Sequence, residues 1–446
     1  VIVEAPGTLR EEATRLLHLA WPVVMAQVGM VALSVVDLFV AGRLGEVSMG
    51  AVGIAHGVSF ALLVPAIGVA HGVDPLVGQA FGAGKPGHAG AAALRGGWLL
   101  LALGVVVTAL HLNARPLLVA LDQDPALIPE AVTYLTIVAP SVPAFIGFLL
   151  ARQLLQGSGH VRPAMWAVAI GNLVNLVLDL GLGLGLGPFP ALGVAGVAWA
   201  TTGVRWAMFL SLLWVAREPL HAAWPSPADR DAVSLGAVAR LALPVGLHTS
   251  LEAWAFTLAA VLAGALGARE SAAHAAAINA ASLSFMVPLG VGAAASTRVG
   301  NLVGAGLPWW RPAWVAVGLG TGVMTISALV FGLFPMAVGS VYTPDPAVLG
   351  VMATILPLAA LFQCFDGMQA VSFGVLRGLG DTRVPSVIAL IGFWGVAVPL
   401  ELLFTFGFGW GLPGIWTGLV GGLVVVALLL VGRIRVHTLR ARAQAA

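Results

Sequence analysis

The sequence predicts an all-α polytopic membrane protein of twelve transmembrane helices in two parallel-repeat six-helix lobes, and three observations predict it. Hydrophobic residues make up 59% of the 446-residue chain and charged residues only 9%, with a mean hydropathy of +0.99. A soluble chain needs roughly 25% charge to cover its surface. Second, apolar runs long enough to span a bilayer recur between turn residues along the whole chain. Third, one nine-residue stretch occurs twice. Gly78-Gln79-Ala80-Phe81-Gly82-Ala83-Gly84-Lys85-Pro86 returns 222 residues later as Gly300-Asn301-Leu302-Val303-Gly304-Ala305-Gly306-Leu307-Pro308. Each copy ends a long apolar run with glycines and a proline, as a helix exit does.

Taken in order, the spans fall at about 17–41, 51–80, 94–114, 131–156, 163–184, 193–216, 238–266, 273–303, 312–341, 348–377, 384–407 and 411–432. Several exceed the ~20 residues a bilayer requires, which predicts tilting or kinking, and Pro65, Pro143, Pro288 and Pro357 lie inside spans as candidate kinks. With the amino terminus cytoplasmic, the inner segments carry 15 of the 21 basic residues and the outer loops three (Arg43, Arg115 and Arg269). That asymmetry predicts an inner-membrane protein with both termini inside.

The repeat runs through the scaffold. At a separation of 222, Pro22 matches Pro244, Ala41-Gly42 matches Ala263-Gly264, and Gly68-Val69 matches Gly290-Val291. After one deletion the separation is 221, and Gly157, Gly159 and Arg162 match Gly378, Gly380 and Arg383. Six spans per half is an even number, so the halves share one orientation. Residues 1–216 form the predicted amino lobe, 217–237 a polar, proline-rich linker and 238–446 the carboxyl lobe.

Composition excludes several function classes. The single Cys364 rules out an internal disulfide and any multi-cysteine metal site. A net charge of +2 gives no basis for nucleic-acid binding. Residues 1–16 are polar and lack a signal-peptide core, so the first span is expected to act as the insertion signal. Gly84-Lys85 is not a phosphate loop, because position 79 is Gln and Pro86 stands where Ser or Thr is required. No nucleophile with a placed base and no H-E-x-x-H motif is present, so an enzyme is not expected.

The buried acids break the symmetry that glycines and prolines keep. Asp37 aligns with Ala259, Glu252 with Met30 and Asp366 with Phe145, while Asp179 is read as having no acidic partner near Leu400. An ionised side chain at mid-bilayer costs about 2.5–3.5 kcal/mol on insertion scales, so four such acids imply a role. Asn172, Asn175 and Asp179 share one helix face, Asp37 lies late in the first span, and Thr201 and Thr202 could add hydroxyls. Such oxygens suit a dehydrated hard cation, and the carboxylates could equally hold protons. The ion-site candidates are therefore Asp37, Asn175, Asp179 and Thr202. In the second half, His248 and Glu252 sit one turn apart, as do Gln363, Asp366 and Gln369. An acid flanked by amides suits a lipophilic cation or a second ion, and the substrate candidates are Glu252, Asp366, Gln363 and Gln27. His56, His71 and His274 read as packing or pore-lining groups rather than ligands, and Asp74 and Arg298 as pairing or capping groups.

In these residues the sequence resembles the multidrug and toxic compound extrusion (MATE) family over nearly its whole length. The resemblance rests on Val36-Asp37 with Ala41-Gly42, Gln79 with Gly82-Ala83-Gly84, and Asn175 with Asp179. Arg298-Val299-Gly300-Asn301 with Gly304-Ala305-Gly306, and Gly378 with Gly380-Asp381-Thr382, complete it. It implies two six-helix lobes in a V and efflux of small lipophilic organic cations, driven by sodium or proton entry, by a monomer without cofactors. By position, Asp37, Asn175 and Asp179 match the family's amino-lobe cation site, and Glu252 and Asp366 the carboxyl-lobe acids of the NorM-like branch. The DinF-like branch also uses the amino-lobe set, which leaves the coupling ion open. The alternative is a flippase for lipid-linked precursors on a related twelve-helix plan; its cavity should be basic, whereas here the intramembrane charges are mostly acidic.

Overall fold

The computed structural model describes residues 3–445, and among them every regular element is helical. Among the described residues, eleven helices are long and apolar enough to cross a membrane. In the first half these are α1 (Leu9–Leu44), α2 (Glu46–Gly82), α3 (Pro86–Leu112), α4 (Ile128–Gly157) and α5 (Arg162–Gly183). They are followed by α6 (Val194–Val215), the sixth expected span; at 22 residues it is long enough, but Thr201, Thr202 and Arg205 dilute its apolar character. The second half supplies α7 (Leu235–Leu266), α8 (Ala268–Gly304), α9 (Trp310–Leu333), α10 (Pro346–Gly378) and α11 (Arg383–Gly407). The last helix is α12 (Leu412–Ala445). Short helices at Ala114–Ala120 and Pro335–Ser340 occupy matching connections in the two halves.

The doubled stretch is a helix exit built twice. The Lys85 N–H donates to the Ala80 carbonyl at 2.9 Å, and the Leu307 N–H to the Leu302 carbonyl at 2.9 Å. Between donor and acceptor stand Gly84 at φ +71° and Gly306 at φ +69°. A left-handed residue that closes the last carbonyls of a helix in this way is a task for glycine.

The helices depart from regularity where prolines and wide turns occur. α2 is interrupted after His71 and resumes at Asp74, ahead of Pro75, whereas α8 runs unbroken through Pro288. α4 tightens to a 3₁₀ turn at Ala139–Ser141, just before Pro143. Asp179–Gly183 closes α5 as a π-helical turn, and α11 contains two wide segments, Leu390–Ala397 and Leu403–Gly407.

The chain forms two compact units. One holds Met25–Phe81 and Lys85–Gly246; the other holds the chain up to Val24, Gly82–Gly84 and the chain from Leu247 onward. α1 and α7 thus each contribute to both units, and their changeover points, Val24/Met25 and Gly246/Leu247, lie 222 residues apart. Within the first unit, Leu63, Val69, Val73, Leu100 and Leu149 anchor one buried cluster, and Val40, Val52, Tyr134, Leu135 and Val197 another. Gly72 lies so close to Ala242 that a Cβ would sit 2.4 Å from the Ala242 Cα. In the second unit a Cβ on Gly374 would lie 2.2 Å from the Gly292 carbonyl oxygen, and one on Gly378 2.6 Å from the Ser296 carbonyl oxygen. Lipid gives helices no hydrophobic reason to associate, so close backbone approach at small residues holds such bundles together. Large apolar side chains such as Trp98, Val105, Trp214 and Ile326 point outward, as a lipid-facing surface requires.

Candidate functional site

In the first unit, α1, α2, α4, α5 and α6 converge on Asp37. Asn172 fixes α5 against α1, its Nδ2 donating to the Gly29 carbonyl at 2.9 Å. Two turns further along α1, the Asp37 carboxylate is 2% exposed. Its Oδ2 accepts from the Tyr134 hydroxyl at 2.6 Å and from the Thr201 hydroxyl at 2.7 Å, with His56 Nε2 at 3.1 Å. His56 Nε2 also lies 2.8 Å from the Tyr134 oxygen, so with the hydroxyl proton given to Asp37 one imidazole N–H serves both oxygens. Asn175 Nδ2 donates one hydrogen to Asp37 Oδ1 at 2.9 Å and the other to Asp179 Oδ2. One amide therefore holds two carboxylates in a site closed to water.

The spacing of Asn175 and Asp179, i and i+4, puts them on one face of α5, and the structure brings both to Asp37. Asp179 opens the π turn of α5, where one additional residue widens the helix next to the site. Asp179 Oδ1 and Asn175 Oδ1 have no hydrogen-bond partner although both residues are fully buried. They are free oxygen ligands beside a hydrogen-bonded carboxylate, and a buried polar atom without a partner is costly unless something occupies it. Two neighbouring carboxylates in such a medium need a compensating positive charge, which a shared proton or a small cation can supply. Among the described residues no group of three or more His, Cys, Asp or Glu side chains could hold a metal ion.

Thr202 does not join this site. Its hydroxyl donates to the Ile137 carbonyl at 2.9 Å, and Thr201 takes the place expected for it, because one residue along a helix turns the side chain by about 100°. His56 is likewise corrected from a packing or pore-lining group to a direct partner of Asp37. Tyr134 went unremarked in the sequence. Its signal was there: it is one of only two tyrosines in the chain and lies mid-helix in an apolar run.

The second unit carries its own polar group. His248 is buried, stacked on Phe373 with ring centroids 3.7 Å apart, and its Nε2 lies 3.9 Å from Glu252 Oε2 and 3.5 Å from Gln369 Nε2. The Glu252 side chain is 19% exposed, and Asp366 is buried within electrostatic reach of it. Gln363 accepts from the Ser284 hydroxyl at 2.8 Å and leaves its Nε2 unpartnered. Gln27 belongs to the first unit, where its Oε1 accepts from Arg152 Nη1 at 3.0 Å. Arg298 pairs with Glu12 through Nε and Nη2, at 3.1 and 2.8 Å, and also donates to the Glu4 carbonyl.

Twelve long helices in duplicated halves, with buried acids held on facing helices, are the build of a multi-pass membrane transporter. The model of the family described as MatE matches residues 22–180 and again 244–403, once in each half. A probable multidrug resistance protein NorM from Mesorhizobium japonicum is 36% identical over 447 residues, covering 96% of this chain and 95% of that protein. The multidrug resistance protein PmpM of Pseudomonas aeruginosa is 33% identical, covering 95% and 91%. Among solved structures, the eukaryotic MATE transporter AtDTX14 superposes with a TM-score of 0.87 at 24% identity over 96% of both chains, a likeness of fold. The chain belongs to the MatE family of transporters.

Proposed function

We propose that the chain is a cation-coupled multidrug efflux antiporter of the inner membrane, with both termini cytoplasmic, that exports lipophilic organic cations by alternating access. The observation that carries this reading is the Asp37–Asn175–Asp179 arrangement, with its two buried, unpartnered oxygens beside a carboxylate already accepting four hydrogen-bond donors. A proton arriving at Asp37 Oδ2 turns an acceptor into a donor, so Tyr134, Thr201 and His56 cannot all keep their bonds to it. Charge uptake thereby loosens α1 from α2, α4 and α6 together. Sodium would bind the free Asp179 and Asn175 oxygens and leave that hydrogen-bond set in place. Either ion has different affinities for the two arrangements, which is what coupling requires.

Glu252, Asp366 and Gln363 are the groups that attract and orient the cationic substrate. The partial exposure of Glu252 beside the buried Asp366 supports this division, as do the relatives named for multidrug resistance. Efflux of an ethidium-like dye from proteoliposomes, first under a sodium gradient and then under a proton gradient, tests the proposal. The expected result is efflux driven by one or both gradients; efflux indifferent to both removes the antiporter reading.

A further inference from the structure

We propose that Glu401 in α11 is a second proton-binding carboxylate, the structural counterpart of Asp179 in the other half. A constant separation of 221 residues pairs Asp179 with Leu400 and passes over Glu401, but that register does not hold at this end of the helix. The turn after α5 and the turn after α11 close with the same pair of hydrogen bonds, across a loop four residues shorter in the second half. The Leu192 N–H donates to the Leu182 carbonyl at 2.8 Å and the Gly193 N–H to the Gly183 carbonyl at 3.2 Å. In the second half the Trp410 N–H donates to the Phe404 carbonyl at 3.0 Å and the Gly411 N–H to the Thr405 carbonyl at 3.4 Å. Gly196, in the first turn of α6, packs on the Leu182 backbone so that a Cβ would meet the carbonyl oxygen at 2.1 Å. Gly414, in the first turn of α12, packs on the Phe404–Thr405 peptide, where a Cβ would lie 2.6 Å from the Thr405 nitrogen.

Leu182 therefore corresponds to Phe404 and Gly183 to Thr405, a separation of 222, which pairs Asp179 with Glu401. The extra residue has a physical origin. Leu390–Ala397 of α11 is π-helical, whereas Arg162–Leu178 of α5 is regular α-helix, and a π turn absorbs an additional residue.

Glu401 is fully buried, and neither carboxylate oxygen has a hydrogen-bond partner. The residues that surround Asp179 in the first half are replaced by apolar ones. Asp37 corresponds to Ala259, His56 to Ile278, Tyr134 to Ile355, Asn175 to Ala397 and Thr201 to Leu419. Gly418 lets α12 close onto Glu401, a Cβ there falling 2.6 Å from the Glu401 Cγ, and α12 carries no titratable side chain between Leu412 and Gly432. α7, which meets α11 through the Trp394 N–H to the Leu251 carbonyl and the Phe256–Phe393 ring contact, brings His248 and Glu252, some two turns before Glu401. The free oxygen nearest along α11 is Thr405 Oγ1, one turn on and also unpartnered. Several oxygens are needed to dehydrate a hard cation, and one carboxylate with one hydroxyl does not provide them. An ionised, unpaired carboxylate in this setting is far too costly, so the group carries a proton. The chain then has proton-accepting acids in both halves, with a neighbouring ligand set for a second ion only in the first.

This inference takes its consequence for transport from the antiporter reading, and the test requires no transport. Infrared difference spectra of the purified full-length chain in nanodiscs report protonated carboxylic acids by their carbonyl stretch. The wild type at neutral pH is expected to show one such group more than Glu401→Gln and Glu401→Leu, equally in sodium chloride and choline chloride. The second variant adds no amide that could overlap the band. Identical carbonyl bands in wild type and both variants, or loss of the Glu401 band on adding sodium, would overturn the proposal. A Glu401 band present in a protein whose dye efflux ignores both gradients would leave the proton site standing and remove the antiporter reading alone.

Discussion

The two halves share a scaffold and differ in how they treat their acids. In the first, Asp37 accepts from four side chains, on α2, α4, α5 and α6, and shares one amide with Asp179. In the second, Glu252 stands near a stacked His248, which also meets Gln369, with Asp366 in electrostatic reach and Glu252 partly open. There, neither Glu401 oxygen has a hydrogen-bond partner among the described residues. The contrast teaches that duplication preserved what packs helices, while the polar groups were placed separately: the first half gathers its acids into one hydrogen-bonded cluster, and the second leaves them with fewer partners.

The comparison breaks most readily at Asp37 and Asp179. Asp37→Asn or Asp179→Asn is expected to lower gradient-driven dye efflux by more than tenfold in proteoliposomes, with the protein still folded by thermal melting. A smaller effect separates two adjacent hydroxyls. Thr201→Ala removes a donor to Asp37 and is expected to slow efflux several-fold, whereas Thr202→Ala removes only a bond to the Ile137 carbonyl and is expected to cost about 1 kcal/mol of stability with coupling intact. Equal efflux defects in the two variants would place Thr202 in the site after all. In the second half, Glu252→Gln is expected to raise the KM for cationic dyes several-fold while changing kcat little. A kcat loss as large as that of Asp37→Asn would mean that the halves do not divide the work as described.

The smallest effect concerns Asp381, in the connection between α10 and α11, outside the spans. Burial raises its carboxyl, but hydrogen bonds and charge from His437 at 2.8 Å and Arg433 at 2.7 Å outweigh this and hold it below the ordinary carboxylate range. A depressed carboxyl stabilises the fold fully above its unfolded value of about 3.9 and loses that contribution as pH falls through the lowered folded value. Asp381→Asn is therefore expected to cost about 1–2 kcal/mol at neutral pH, discounted for the partial exposure of Arg433, and nothing at strongly acid pH. Melting curves across acid pH would show the wild type and variant converging.

Fold and site were legible to different depths. The spans, the duplicated helix exits and the parallel halves follow from hydropathy and turn residues, which act locally and leave a mark at each position. Asp37, Asn175 and Asp179 stood out because intramembrane acids and amides are costly and so carry information wherever they occur. Tyr134, His56 and Thr201 did not, because their membership depends on how four helices are rotated about their axes. A turn of about 100° separates Thr201, which reaches Asp37, from Thr202, which does not. Glu401 was hidden for a related reason: the π segment in α11 shifts the register by one residue, and no residue type announces a π turn.

The most direct test of the coupling site is dye efflux from proteoliposomes of wild type and Asp37→Asn under imposed sodium and proton gradients. The arrangement around Asp37 predicts that the wild type responds to at least one gradient and that Asp37→Asn responds to neither. Gradient-driven export by Asp37→Asn at the wild-type rate would contradict it.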